Sequence, residues 1–262
     1  MKNRNAEVAR FITIPLSHYC EKARWALDRA ALPYREEPHI PLLHRLSTKR
    51  SGGGTVPVLI HAGRCFVEST AILVLADNFS GGALYPQDAG QRHQVESLVA
   101  RFDRELGPHT RRWAYAQLLS DTALLRRIWA TRAPRAETLL LPVIVPLARR
   151  LVRAGYRVTP ESGQRSIERV HGIFREVEER LRDGRRYLVG DRFSAADLGF
   201  AALAAPVLFP AGCRAVLPAL DEVPAAVREE VLRLRDTDAG RFALRLYLQE
   251  RDTPAAARSA TA

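Results

Sequence analysis

The stretch FITIPLSHYCEKARWAL, Phe11 to Leu27, decides how this chain is read. Phe11 to Ile14 are β-branched or aromatic and read as a short buried strand. After them Ala23, Ala26, Leu27 and Ala30 recur at helical spacing, with Lys22, Arg24, Asp28 and Arg29 on other faces. The strand therefore turns into a helix at Pro15-Leu16-Ser17. Ser17 sits near the helix start, where unpaired backbone N–H groups and the positive end of the helix dipole favour negative charge. Two readings follow for Ser17: a plain N-cap, or part of a site that holds a thiolate. Cys20, about one turn inside the helix, reads as a small buried hydrophobe or as a reactive thiol.

Outward from this turn, strand and helix signals alternate as far as Phe79. PYREEPHI (Pro33 to Ile40) predicts a second strand, and the polar TKRSGGG (Thr48 to Gly54) leads into TVPVLI (Thr55 to Ile60). The turn HAGR (His61 to Arg64) joins that run to CFVE (Cys65 to Glu68) as a hairpin. STAILVLADNF (Ser69 to Phe79) closes the unit as a helix capped by a hydroxyl residue. The order β-α-β-(α)-β-β-α is that of a small α/β layer with a mixed sheet. Val56-Pro57 stands right before a strand, where an X-Pro bond can be cis. Glu68-Ser69 stands at the next strand-to-helix junction, where a hydroxyl and a backbone N–H can hold a carboxylate and Glu68 can accept an ammonium; the plainer reading is a helix cap.

SGGALYPQDAG (Ser80 to Gly90) is the natural boundary, and beyond it helical patterning recurs at about 90–119, 121–131, 135–153, 161–182, 194–209 and 222–248. Ser194 with Asp197 three residues on is a capping-box spacing before an apolar run. The Ala-rich tail 253–262 is expected to fray.

Composition sets the limits. A chain of 262 residues with 47% hydrophobic and 26% charged residues has the makings of a sizeable core. The polar first ten residues predict no secretory signal, and no apolar run approaches the roughly 20 residues of a spanning helix. Cys20, Cys65 and Cys213 are far apart with no metal-ligand spacing, so no metal is expected and a reducing, cytoplasmic setting fits. The formal charge is +11, and all but Lys2, Lys22 and Lys49 of the 40 basic residues are arginine. These arginines are scattered, often beside acids as in FREVEERLRDGRR (Phe174 to Arg186), with no zinc-finger or RNA-binding signature. The surplus reads as solvated helix faces with a weak pull toward anionic ligands, and nucleic acid is not an expected partner.

PLSHYCEKARWALDRAALPY, TVPVLI, ESTAILVLAD and YLVGDRFSAADL, in this order and spacing, resemble the soluble glutathione S-transferase family. The likeness runs from about Phe11 to Asn78, and more loosely from Asp88 to about Leu248. It implies an α/β thioredoxin-like domain over residues 1–80, a linker at 81–89 and an all-α helical domain over 90–252. It also implies glutathione as co-substrate, with Glu68 and Ser69 clamping the γ-glutamyl end and Val56 beside a cis Pro57 pairing with the cysteinyl backbone. The glycyl carboxylate would meet Lys49 or Arg50. The thiol would lie near Ser17, the position that carries the activating hydroxyl in serine-type classes; Cys20 occupies the second place of a C-x-x-C motif. Three functions follow. The first is a transferase that activates the thiol for attack on a small hydrophobic electrophile, with Ser17 as the catalytic residue. The second is a glutathione-dependent thiol oxidoreductase using Cys20. The third is a non-catalytic ligand-binding or stress protein. A homodimer is implied, through the third helix and residues 90–119. TLLLPVIVPLARRLVRAGYRVTPES (Thr138 to Ser162) looks like added material. It reads as one more packed helix, as a lid over an apolar substrate, or as a membrane-surface contact.

Overall fold

The structure, a computed structural model, describes residues 8–51, with the main chain alone at Arg50, and 54–252. The proposed role of the Arg50 side chain, the glycines Gly52 and Gly53, and the tail 253–262 lie outside the described residues. Four strands, β1 (Ala9–Thr13), β2 (Tyr34–Pro38), β3 (Val58–His61) and β4 (Arg64–Val67), form one sheet in the order β2-β1-β3-β4. β1 runs parallel to β2, with Ala9 opposite Tyr34, and antiparallel to β3, with Phe11 opposite Leu59. Ala62 and Gly63 turn the β3–β4 hairpin with φ of 48° and 70°, the left-handed pair that suits a two-residue hairpin loop. β1 begins earlier than its apolar core suggests and leaves Ile14 outside the strand. β2 is an edge strand, which is why so charged a segment as YREEP can occupy it.

Helix α1 (His18–Arg29) packs against α3 (Ser69–Ser80), and a short helix α2 (His44–Thr48) lies between β2 and β3 in the chain. The hydroxyl cap expected for α3 is not found. Glu68 is the N-cap residue, without a side-chain cap bond, and Ser69 is already helical. α1 also departs from the amphipathic pattern: Lys22, Arg24 and Arg29 are buried along with its apolar residues. They survive burial because each meets an acid. Arg24 pairs with Glu21 and with Glu36 of β2, and Arg29 with Glu250. Arg251 pairs with Glu21 and Asp28. Part of the arginine surplus is therefore internal rather than solvated.

The remaining described elements with regular structure are helical. The single helix expected at 90–119 consists of α4 (Ala89–Arg101), a π-helical turn (Phe102–Leu106) and α5 (Gly107–Leu118). α6 (Thr122–Ala130) follows, and the expected 135–153 helix is two pieces, α7 (Arg135–Thr138) and α8 (Leu141–Gly155), with Pro142 in the first turn of α8. After α9 (Pro160–Leu181) comes α10 (Ala195–Leu208), whose every residue is buried, the mark of a central helix. The Ser194–Asp197 capping box is present at its start. The 222–248 pattern is also two helices, α11 (Ala225–Arg235) and α12 (Asp238–Glu250), because Thr237 caps the second with its hydroxyl. Phe102, Phe174 and Phe242 each meet Phe200 of α10 with ring centres 5.4 to 6.1 Å apart. α10 also packs on α1, tying the helices to the sheet unit.

A second, smaller core gathers Leu124, Leu125, Ile128 and Trp129 of α6 with Leu141, Val145 and Ala148 of α8 and Ile40 beyond β2. Glu137 of α7 fastens it to the sheet unit. One carboxylate oxygen lies 2.5 Å from His39 Nδ1, and the other accepts the Ile40 N–H at 2.8 Å. The segment 138–162 thus packs as a helix on one face. On the other, Leu139, Val143 and Leu147 remain exposed.

Candidate active site

The start of α1 opens into a cleft of about 290 Å³. One wall is the sheet unit: Ile14, Leu16, Ser17, His18, Tyr19 and Val56. The other is helical and mostly apolar, with Tyr115 and Leu118 of α5, Ile128 and Trp129 of α6, and Val152 of α8 near Tyr156. Tyr115 and Tyr156 stack with centres 5.9 Å apart at 10°. The segment 138–162 is therefore part of the cleft wall through α8 and Tyr156.

Ser17 is the N-cap of α1, and its Oγ accepts the Cys20 N–H at 3.3 Å. The same hydroxyl also hydrogen-bonds the Cys20 side chain, an interaction that favours the ionised form of that thiol. His18 is buried, with Nε2 3.0 Å from the Gly107 carbonyl. Burial, Arg111 and Lys22 together hold this imidazole down at about 3 against the pull of that carbonyl, so it is neutral at physiological pH. Tyr19 donates its hydroxyl to the Asp103 carbonyl at 2.8 Å. A Cβ at position 107 would stand 2.3 Å from the Tyr19 oxygen, so glycine is what lets α1 and α5 approach here. Cys20 is fully buried and does not line the cleft; burial pushes its thiol up to about 11.

The other residues singled out in the sequence fall at the sheet's end with unequal placement. The Val56-Pro57 bond is cis, and Val56 lines the cleft while Pro57 does not. Glu68 is exposed, and its backbone (φ 72°, ψ 150°) lies where non-glycine residues are rarely found. Its N–H donates to the Pro57 carbonyl at 3.2 Å, while Ser69 is buried beside it. Lys49 is exposed and outside the cleft lining.

Below this junction Lys22 Nζ meets both carboxylate oxygens of Asp103 at 2.6 and 2.7 Å and Thr70 Oγ1 at 3.0 Å. Sequence reasoning missed that pair, and it missed His44, Arg45 and Arg111, which line the cleft. Nothing local marks Arg111 among its arginine neighbours; only the long-range packing of α5 selects it. Among the described residues no group of His, Cys, Asp and Glu is arranged to hold a metal ion, and no helix is long and apolar enough to cross a membrane.

Comparison with known proteins adds to this picture. Residues 11–82 match the family model for the glutathione S-transferase N-terminal domain, and residues 160–229 the model for the C-terminal domain. No curated protein matches the sequence. Among solved structures, the fold is similar to glutathione transferase GSTFuA3 from Phanerochaete chrysosporium (17% identity, TM-score 0.61, covering 93% of this chain and 97% of that one). It is also similar to the beta-etherase LigF from Sphingobium sp. strain SYK-6 (21% identity, TM-score 0.56, 91% and 99%). A glutathione transferase from Burkholderia graminis, with two glutathione molecules bound per subunit, matches at 18% identity and TM-score 0.58 over 96% and 87%.

Proposed function

The chain belongs to the glutathione S-transferase family, and on that premise we propose that it activates the glutathione thiol for attack on a small hydrophobic electrophile held in the cleft. The observation that carries this reading is the placement of Ser17: it caps α1 and lines an otherwise largely apolar cleft, whereas Cys20 is buried outside it. A free thiol has a pKa of about 8.5 and is mostly protonated at neutral pH. The Ser17 O–H and the positive end of α1 would stabilise the thiolate. The electrophile would lie against the Tyr115, Trp129 and Tyr156 wall. Glu68 and Ser69 would hold the γ-glutamyl end, the Val56 main chain the cysteinyl unit, and Lys49 or Arg50 the glycyl carboxylate. We further propose a cytoplasmic homodimer that joins through α3 and α4–α5. The unpaired state of Cys20, Cys65 and Cys213 supports the compartment.

Conjugation of glutathione to 1-chloro-2,4-dinitrobenzene tests the reading. Ser17→Ala should lower kcat/KM at neutral pH about 10- to 100-fold, the worth of a hydrogen bond to a charged atom, and Cys20→Ser should leave it nearly unchanged. Loss of disulfide reduction in Cys20→Ser, with conjugation intact in Ser17→Ala, would instead make the protein a thiol oxidoreductase. Glutathione binding without either activity would make it a ligand-binding protein.

A further inference from the structure

The helical wall of the cleft carries a cation with no acid partner among the described residues. Arg111 lines the cleft, with its guanidinium carbon 4.0 Å from the Tyr156 ring centre and 5.7 Å from that of Tyr19. Among the described residues it has no carboxylate partner, and its Nε is buried with no acceptor. Arg24 and Arg251 pair with acids, and the half-buried Arg112, Arg149 and Arg235, which have no acid partner among the described residues, donate instead to backbone or hydroxyl oxygens. Among the described residues no aspartate or glutamate lines the cleft. The indole N–H of Trp129, another lining residue, is also buried without an acceptor. Stacking on Tyr156 offsets part of the cost of burying the Nε edge of the half-buried Arg111, but a ring face leaves that N–H donor unfilled.

We propose that Arg111 is an anion site within the acceptor pocket, and that the second substrate is a flat, apolar electrophile bearing a carboxylate. This rests on the conjugation reading above and names its substrate class. The apolar body would lie along Tyr115, Tyr156 and Trp129, and the carboxylate would meet the guanidinium fork. Selectivity follows because a neutral acceptor covers that cation without pairing it, whereas an acid completes it. The carboxylate takes no part in bond making. With an aryl chloride the glutathione thiol gives its proton to solvent, the thiolate sulfur bonds to the chlorine-bearing carbon, chloride leaves with the bonding electron pair, and nothing is oxidised or reduced.

The test compares 4-chloro-3,5-dinitrobenzoate with its methyl ester, each rate divided by its uncatalysed rate with glutathione. The wild type should prefer the acid. Arg111→Met should lower kcat/KM for the acid about 10- to 100-fold, mainly through KM, while the ester changes less than about threefold. Arg111→Lys should retain part of the preference, as a point charge without the fork. Quenching of tryptophan fluorescence by unreactive 3,5-dinitrobenzoate, measured without glutathione, should weaken by a similar factor in Arg111→Met. Equal losses for acid and ester would overturn the proposal and assign Arg111 to the thiolate or to the fold. So would a wild type that binds 3,5-dinitrobenzoate no better than 1,3-dinitrobenzene. Calorimetry with glutathione on the same samples separates the two claims. Glutathione binding without acid preference defeats the anion site alone. Arg111-dependent binding of the benzoate without glutathione binding defeats the conjugation reading alone.

Discussion

Replacing Lys22 by methionine should show how the junction beneath Glu68 is held. Lys22 is fully buried, and its ammonium meets both oxygens of Asp103, whose side chain is 23% exposed. Thr70 completes the cluster by donating to Asp103 at 2.5 Å. The three side chains come from α1, α3 and the π-helical turn, so the pair fastens the sheet unit to the helices. Removing one partner of a buried ion pair costs about 3–5 kcal/mol because the other charge is stranded. Asp103 keeps the Thr70 bond and some water, which places Lys22→Met near the lower bound, about 3 kcal/mol. For a chain of this size that corresponds to a fall in Tm of roughly 6–12 °C. Replacing both partners removes the stranded charge, so Lys22→Met/Asp103→Leu should recover about 2 kcal/mol of the loss. Urea unfolding followed by tryptophan fluorescence and by circular dichroism measures each value. A cost for Lys22→Met below about 1 kcal/mol, or a double variant as unstable as the sum of the two singles, would mean that the ion pair does not hold this junction.

Glu37 should give the fold a measurable acid sensitivity. Hydrogen bonds from Arg10 and then Arg35 hold its carboxyl down at about 2, against an ordinary 4.5. The unfolded chain therefore binds the proton first, so the contribution is complete above about pH 5 and fades as pH falls toward 2. Glu37→Gln should flatten that part of the stability–pH curve, and an unchanged curve would count against the pair. At Ser17, aspartate separates capping from thiol activation. Ser17→Asp keeps an acceptor for the Cys20 N–H, so Tm should stay near that of the wild type, while Ser17→Ala should lose about 1 kcal/mol. Both should raise the pKa of bound glutathione, read from thiolate absorbance, and aspartate should raise it further by charge repulsion.

Local chemistry made much of the fold legible. Phe11 to Ile14, the hairpin around Ala62-Gly63 and the Ser194–Asp197 box carry their signals within a few residues, and the structure has each of them with shifts at the ends. The sequence patterns failed where a helix break depended on one residue inside a continuous periodic run. Thr237 splits 222–248 because its hydroxyl caps a new helix, yet apolar spacing continues on both sides. Lys22 and Arg24 looked like solvent-facing positions because their acids, Asp103 and Glu36, come from distant elements or an edge strand. Ser17 and Val56 could be found because turn chemistry marks them. Arg111, Trp129 and Tyr156 could not, since they meet only when α5, α6 and the end of α8 close the same cleft.

Calorimetric titration of glutathione into the wild type and into Glu68→Ala is the decisive measurement of the proposed glutathione site. One glutathione should bind per chain in the wild type, and binding should be about 10- to 100-fold weaker once the carboxylate proposed to receive the γ-glutamyl ammonium is gone. No heat of binding in the wild type at millimolar glutathione would contradict that site.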